Sequence, residues 1–207
     1  NPYSPYPEEM MRVLTSRLAT FHFCPTETGR TNLIEEGIRS SRIFVTGNTV
    51  IDILKSVIKP DYEFSPEVSR ILGRGRRVIL LTTHRRENQQ SGGMVNIMRA
   101  VDHIARKYDD VDVIFPMHMS PNVRKIAASW ITAPNVHMIE PLEYVEFANL
   151  MSRVYLILTD SGGIQEEAPV LNKPVLVLRK ETERQEAISS GAAMLVGTDY
   201  DAIIDAT

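Results

Sequence analysis

The chain has 207 residues, 43% hydrophobic and 24% charged, proportions that suit a globular protein with a core of its own. Its 23 basic and 26 acidic side chains leave a net charge of −3, which gives no reason to expect a nucleic-acid or membrane-surface partner. No apolar run approaches ~18 residues, nothing at the start resembles a signal peptide, and the single Cys24 excludes an internal disulfide, so a reducing cytoplasm is expected.

The opening NPYSPYPEEM reads as an ordered extended loop that delivers Glu8 and Glu9 to the first turn of a helix, with Pro7 near its first position. MRVLTSRLA continues that helix, and residues 21–24 follow as a short strand. Thr26 and Glu27 start a second helix that Gly37 stops. Residues 42–46 are again extended, and 48–58 form a helix with apolar residues at 50, 51, 54, 57 and 58. Two short strands and three helices bury a poor core. Residues 1–58 are therefore expected to be the closing part of an α/β domain whose earlier part is missing. Residues 59–76, with two prolines, two glycines and no sustained periodicity, read as a linker.

From 77 to 207 the pattern becomes regular. Strand-like runs at 78–82, 111–115, 136–139, 154–158, 175–178 and 194–196 alternate with helical runs at 94–107, 123–130, 144–151, 164–171, 184–189 and 200–206. That alternation predicts an α/β, Rossmann-like domain with a parallel sheet covered on both faces. Ligands of such sheets sit beyond the carboxyl ends of the strands, so the turns after the strands carry the candidate chemistry.

Two of those turns are distinctive. In Thr159-Asp160-Ser161-Gly162-Gly163 the two glycines let a phosphate approach the backbone, Ser161 adds a hydroxyl donor, and the following helix start favours an anion. Glu167 lies one helical turn deeper on the same face, and a carboxylate there suits the vicinal hydroxyls of a ribose. Arg184, past the next strand, supplies a positive charge. Together these residues predict a site for a phosphorylated sugar nucleotide. The Ser-Gly-Gly stretch also fits a plain tight turn, and Glu166 a solvated or ion-paired face residue. The second turn is TTHRREN, where His84 ends a strand beside two arginines and is a candidate acid/base group. His118 ends the next strand and is a further candidate, whereas His22, His103 and His137 read as structural or exposed. No pair has metal-ligand spacing backed by Cys or Asp, so no metal is expected.

The segments SPYPEEM, FCPTE, VTGNTVID, TTHRREN, TDSGGIQEEAP, KPVLVLR and ETER, in this order, resemble the non-hydrolysing UDP-N-acetylglucosamine 2-epimerases from residue 3 to residue 198. The resemblance implies two Rossmann-like domains in the manner of GT-B glycosyltransferases, the first of them incomplete here. It also implies interconversion of UDP-N-acetylglucosamine and UDP-N-acetylmannosamine without metal or redox cofactor, and a homodimer. By resemblance, Glu8 is an essential acid/base carboxylate and His84 assists departure of UDP. Ser161, Gly162 and Gly163 hold the diphosphate, Glu167 the ribose, and Arg184 stands near the phosphates. Phe147 packs near the uracil, and His118 matches a residue of a second, activating substrate site.

The chain departs from the family pattern at Met11, where Asn is usual, and at Gln185, where Pro is usual. The family's upstream Asp and the Glu of its EAGLR motif have no counterpart in these residues, nor has its NPYGDG stretch. A hydrolysing relative, a GT-B glycosyltransferase and an inactive UDP-binding fragment are the competing expectations.

Overall fold

A computed structural model of the chain describes residues 7–182 and 184–207, apart from the side chains of Gln90, Gln185 and Glu186. The extended loop expected over residues 1–6 lies outside the described residues. The chain divides into two compact units, Asn1–Ile53 and Leu54–Thr207.

In the first unit, Pro7 precedes helix α1 (Glu8–Leu18), whose first turn carries Glu8 and Glu9 as the sequence predicts. Strand β1 (His22–Cys24) leads into helix α2 (Glu27–Glu35), where the Thr26 side chain accepts from the Gly29 N–H as the N-cap. The left-handed Gly37 closes α2, with its own N–H on the Ile34 carbonyl and the Ile38 N–H on the Leu33 carbonyl. A 3₁₀ turn (Ser40–Arg42) and strand β2 (Ile43–Val45) follow, and β1 and β2 pair in parallel with His22 opposite Ile43. Of the apolar side chains in this unit, Cys24 and Ile43 are buried, while Leu18, Phe23 and Phe44 are exposed. The thin core expected from so few elements is what the packing shows.

Helix α3 (Thr49–Val57) runs into the second unit, where Leu54 is fully buried. The stretch expected to be a linker contains helix α4 (Pro66–Leu72), with Pro66 at its first turn and Val68 and Ile71 buried in the core. The domain bounds drawn from sequence at 58 and 77 therefore shift to the break after Ile53, because residues 54–76 pack with the sheet that follows. Along the rest of the unit come β3 (Arg77–Thr82), α5 (Arg86–Gln90), α6 (Gly93–Lys107), β4 (Val111–Pro116), α7 (Pro121–Trp130), β5 (Val136–Ile139) and α8 (Tyr144–Arg153). They are followed by β6 (Leu156–Thr159), α9 (Ile164–Val170), β7 (Val175–Val177), α10 (Gln185–Ser189), β8 (Ala193–Leu195) and α11 (Tyr200–Ala206).

The six strands form one parallel sheet in the order β5-β4-β3-β6-β7-β8. Successive strand residues face opposite sides. Ile79, Leu81, Val113 and Phe115 therefore join the core beneath α6, α7 and α11, while Val78, Leu80, Ile114 and Ile157 join the core with Leu54, Ile71, Leu150 and Met151. The chain builds β3, β4 and β5 outward in one direction, then returns to lay β6 on the other side of β3. That reversal opens a crevice at the carboxyl ends of β3 and β6, the position where doubly wound sheets bind their ligands.

Candidate active site

Thr82 pairs with Thr159 at the ends of β3 and β6, and their hydroxyls lie 2.7 Å apart. TTHRREN and TDSGG therefore leave the sheet side by side, although more than seventy residues separate them in sequence.

Asp160 holds the two turns together. It is fully buried, and its Oδ2 accepts from the Thr83 hydroxyl (2.8 Å), the Arg85 N–H (2.9 Å), the His84 N–H (3.0 Å) and the Asn88 amide (3.0 Å). The Arg85 side chain also donates to the Asp160 carbonyl, and Asn88 donates to the Leu178 carbonyl at the end of β7. His84 rests partly exposed on this frame, with Nδ1 3.4 Å from Asp160 Oδ1. Burial holds its pKa below the ordinary 6.5, with His118 and Arg85 acting in the same direction and Asp160 against them. The His118 ring stacks on His84 at 5.2 Å with 12° between planes, and its Nδ1 accepts from the Ser120 N–H. The two sequence candidates thus meet through neighbouring strands.

The glycine turn is built from within. The Ser161 N–H bonds to the Thr159 hydroxyl, leaving the N–H groups of Gly162 and Gly163 without an acceptor among the described residues. Gly163 has φ −63°, and a Cβ there would meet nothing nearer than the Ser161 hydroxyl at 4.0 Å. Neither backbone conformation nor packing requires glycine at 163, so its missing side chain leaves the backbone open to an incoming group. Helix α9 is only seven residues long and contains Pro169, so the local N–H groups, and not a long dipole, carry the case for an anion.

Glu167 sits one turn into α9, its N–H on the Gly163 carbonyl, and it is 7% exposed. No described residue donates a hydrogen bond to its carboxylate, and burial followed by the neighbouring Glu166 raises its pKa above the usual 4.5. Burial and the Glu167 carboxylate push Tyr144, at the start of α8, upward as well. An unpaired buried carboxylate is costly, and hydroxyl donors from a ligand would relieve it.

The Arg184 guanidinium pairs with Glu166. The ion-paired reading of Glu166 is the one that holds. The backbone of Arg184 is tied back to the glycine turn through buried polar groups. Its N–H donates to Thr182 Oγ1, which donates to Gln165 Oε1 (2.6 Å), and Gln165 Nε2 donates to the Ser161 carbonyl (3.1 Å). Phe147 of α8 is half-buried against the core cluster that contains Ile164 and Ala168 of α9. Glu8 is exposed at the start of α1 in the first unit, while every other candidate belongs to the second.

Asp160, Gln165 and Thr182 were not among the residues singled out from sequence. The one signal available was an acidic residue directly after an apolar strand on the ligand edge, a position where a buried carboxylate has to find donors. Among the described residues no three His, Cys, Asp or Glu side chains converge as a metal site, and no helix is long and apolar enough to cross a membrane.

Known proteins of similar sequence and fold point to one family. A family model described as UDP-N-acetylglucosamine 2-epimerase matches residues 1–207. A UDP-N-acetylglucosamine 2-epimerase of Yersinia pestis is 47% identical over 211 residues, covering 99% of this chain and 56% of the relative. A UDP-GlcNAc 2-epimerase from Neisseria meningitidis, solved bound to UDP-GlcNAc, superposes with a TM-score of 0.89 at 45% identity, over 100% of this chain and 57% of that one. The S. aureus protein MnaA, solved with UDP, gives a TM-score of 0.91 at 42% identity over 100% of this chain and 54% of its own. The chain spans about half the length of the curated relatives it matches.

Proposed function

We propose, because the chain belongs to the UDP-N-acetylglucosamine 2-epimerase family, that the whole protein interconverts UDP-N-acetylglucosamine and UDP-N-acetylmannosamine by elimination and re-addition of UDP. The observation that carries the reading is the crevice between β3 and β6. There, the N–H groups of Gly162 and Gly163 stand one helical turn from the buried Glu167 carboxylate, and none of the three groups has a hydrogen-bond partner among the described residues. That pairing suits a nucleoside diphosphate, with phosphate oxygens on the amides and ribose hydroxyls on the carboxylate.

In the proposed reaction a base removes the proton from C2 while the C1–O bond breaks and UDP departs, leaving a C1–C2 double bond. UDP then adds back to C1 and a proton reaches the opposite face of C2. Inversion by this route needs acid/base groups on both faces of the sugar. Glu8 is assigned to proton transfer at C2. His84, becoming protonated beside the diphosphate, stabilises the departing UDP, and Arg184 adds positive charge once the diphosphate competes with Glu166 for its guanidinium. Phe147 is assigned to the uracil and His118 to a second, activating substrate. The protein is proposed to act in the cytoplasm as a homodimer.

Deuterium exchange at C2 in the whole protein tests the assignment. The Glu8→Gln variant is expected to bind UDP as before and to lose incorporation at C2. Incorporation at the native rate would remove Glu8 from the mechanism. Release of free N-acetylmannosamine in place of the UDP-linked sugar would identify a hydrolysing enzyme instead.

A further inference from the structure

The two oxygens of Asp160 serve different tasks. Oδ2 takes donors from Thr83, His84, Arg85 and Asn88, which is enough to hold the turn after β3 in place. Oδ1 takes a share of the His84 N–H at 3.1 Å and has acceptor capacity left over, and it lies 3.4 Å from His84 Nδ1, within ion-pair distance but not in a formed hydrogen bond. A carboxylate beside one ring nitrogen favours a proton on that nitrogen, which settles the tautomer and leaves the other nitrogen for chemistry.

We propose that Asp160 is the positioning residue for His84, holding the neutral imidazole with its proton on Nδ1 and leaving Nε2 as the nitrogen offered to the ligand. The role assigned to His84 in assisting the leaving diphosphate rests on the epimerase reading. The tautomer and its cause rest on geometry alone. An Nε2 without a proton can accept one as the diphosphate arrives, and the imidazolium so formed stays paired with the Asp160 carboxylate. Burial weighs most on the charge state of the ring, and three titratable or charged groups add to it: Asp160 after β6, His118 after β4, and the adjacent Arg85. Asp160 is the one among them that favours protonation; its carboxylate is fully buried, while the 42% exposure of the His84 side chain lets solvent screen part of its pull.

Nitrogen-15 correlation spectra of the imidazoles, recorded on the labelled chain across a pH titration, test this without any activity assay. In the native chain His84 is expected to show the Nδ1-protonated tautomer above its pKa. Predominance of the Nε2-protonated form would overturn the proposal. In Asp160→Asn the His84 pKa is expected to fall by about one unit, and the tautomer preference to weaken. An unchanged pKa and tautomer in a folded variant would reduce Asp160 to a loop tie and overturn the proposal. Should Asp160→Asn fail to fold, the native tautomer alone decides. Because neither readout needs UDP, failure of the epimerase reading would leave both results intact. Failure here would leave the epimerase reading standing, with His84 placed by other means.

Discussion

Glu167 and His84 respond to a nucleotide in opposite senses, and the signs can be worked out. The folded pKa of Glu167 is raised above 4.5, so the stability linked to this group is present below that value and is lost as pH rises through the raised one. Ligand hydroxyls favour the ionised form, so UDP affinity relative to a Glu167→Gln variant is expected to grow as pH rises from 4.5 and then to level off. At neutral pH, Glu167→Ala is expected to cost about 2–4 kcal/mol of UDP binding by calorimetry. Unchanged affinity would sink the ribose assignment. His84 has its pKa lowered from 6.5, chiefly by burial, and a diphosphate bound beside it would raise it. UDP binding near pH 7 should therefore take up part of a proton, read from calorimetric enthalpies in buffers of different ionisation heat, and the uptake should vanish in His84→Asn. These two residues were legible in the sequence because each follows a strand or a glycine turn by a fixed step. Asp160 was not, since its partners are chosen by the pairing of β3 with β6, which no local pattern displays.

Among the elements, helix boundaries follow periodicity where the buried stripe is long. Helix α6 places Met94, Ile97, Met98, Val101 and Ile104 on one buried face, and its expected span is off by one residue. Helix α4 leaves no clear sequence pattern because seven residues give Val68 and Ile71 as its only buried pair, too short a run to separate from the prolines and glycines around it. Helix α5 lacks a pattern for a different reason. Its residues RENQQ have no apolar stripe, and Asn88 anchors it through Asp160 and the Leu178 carbonyl. The run 154–158 was expected to be all strand, but Val154 caps α8 and the strand starts at Leu156. Buried helix ends and buried strands look alike in composition. Gly93 offers a test at this scale. A Cβ on it would lie 2.8 Å from Thr198 Oγ1 and 2.9 Å from Thr198 Cβ. Gly93→Ala is therefore expected to destabilise the chain by about 1–3 kcal/mol in urea unfolding, with Thr198→Ala restoring much of the loss. Full stability of the single variant would show that the start of α6 is not held against Thr198.

For the whole molecule, the second unit is the part expected to stand alone. The unit Leu54–Thr207 should bind UDP as well as the 207-residue chain, because every nucleotide-contacting candidate lies within it. A shorter piece starting at residue 77 discards Leu54, Val68 and Ile71, all buried to within 1%. At roughly 1.5–3 kcal/mol each, their loss is about 5–9 kcal/mol, comparable with the entire stability of a domain. Circular dichroism is expected to show that piece unfolded, and a stable fold for it would return residues 59–76 to the status of a linker. The strand order has one more consequence, for the time course of folding. Neighbouring strands in the other four pairs come from nearby in the chain, but β3 and β6 join residues 77 apart, more than twice the separation in any other pair. Closing the longest loop carries the largest entropic cost, so two half-sheets can assemble before they meet. The seam along which they finally join is the crevice proposed to take the nucleotide, so the proposed binding surface would be the last part of the sheet to exist.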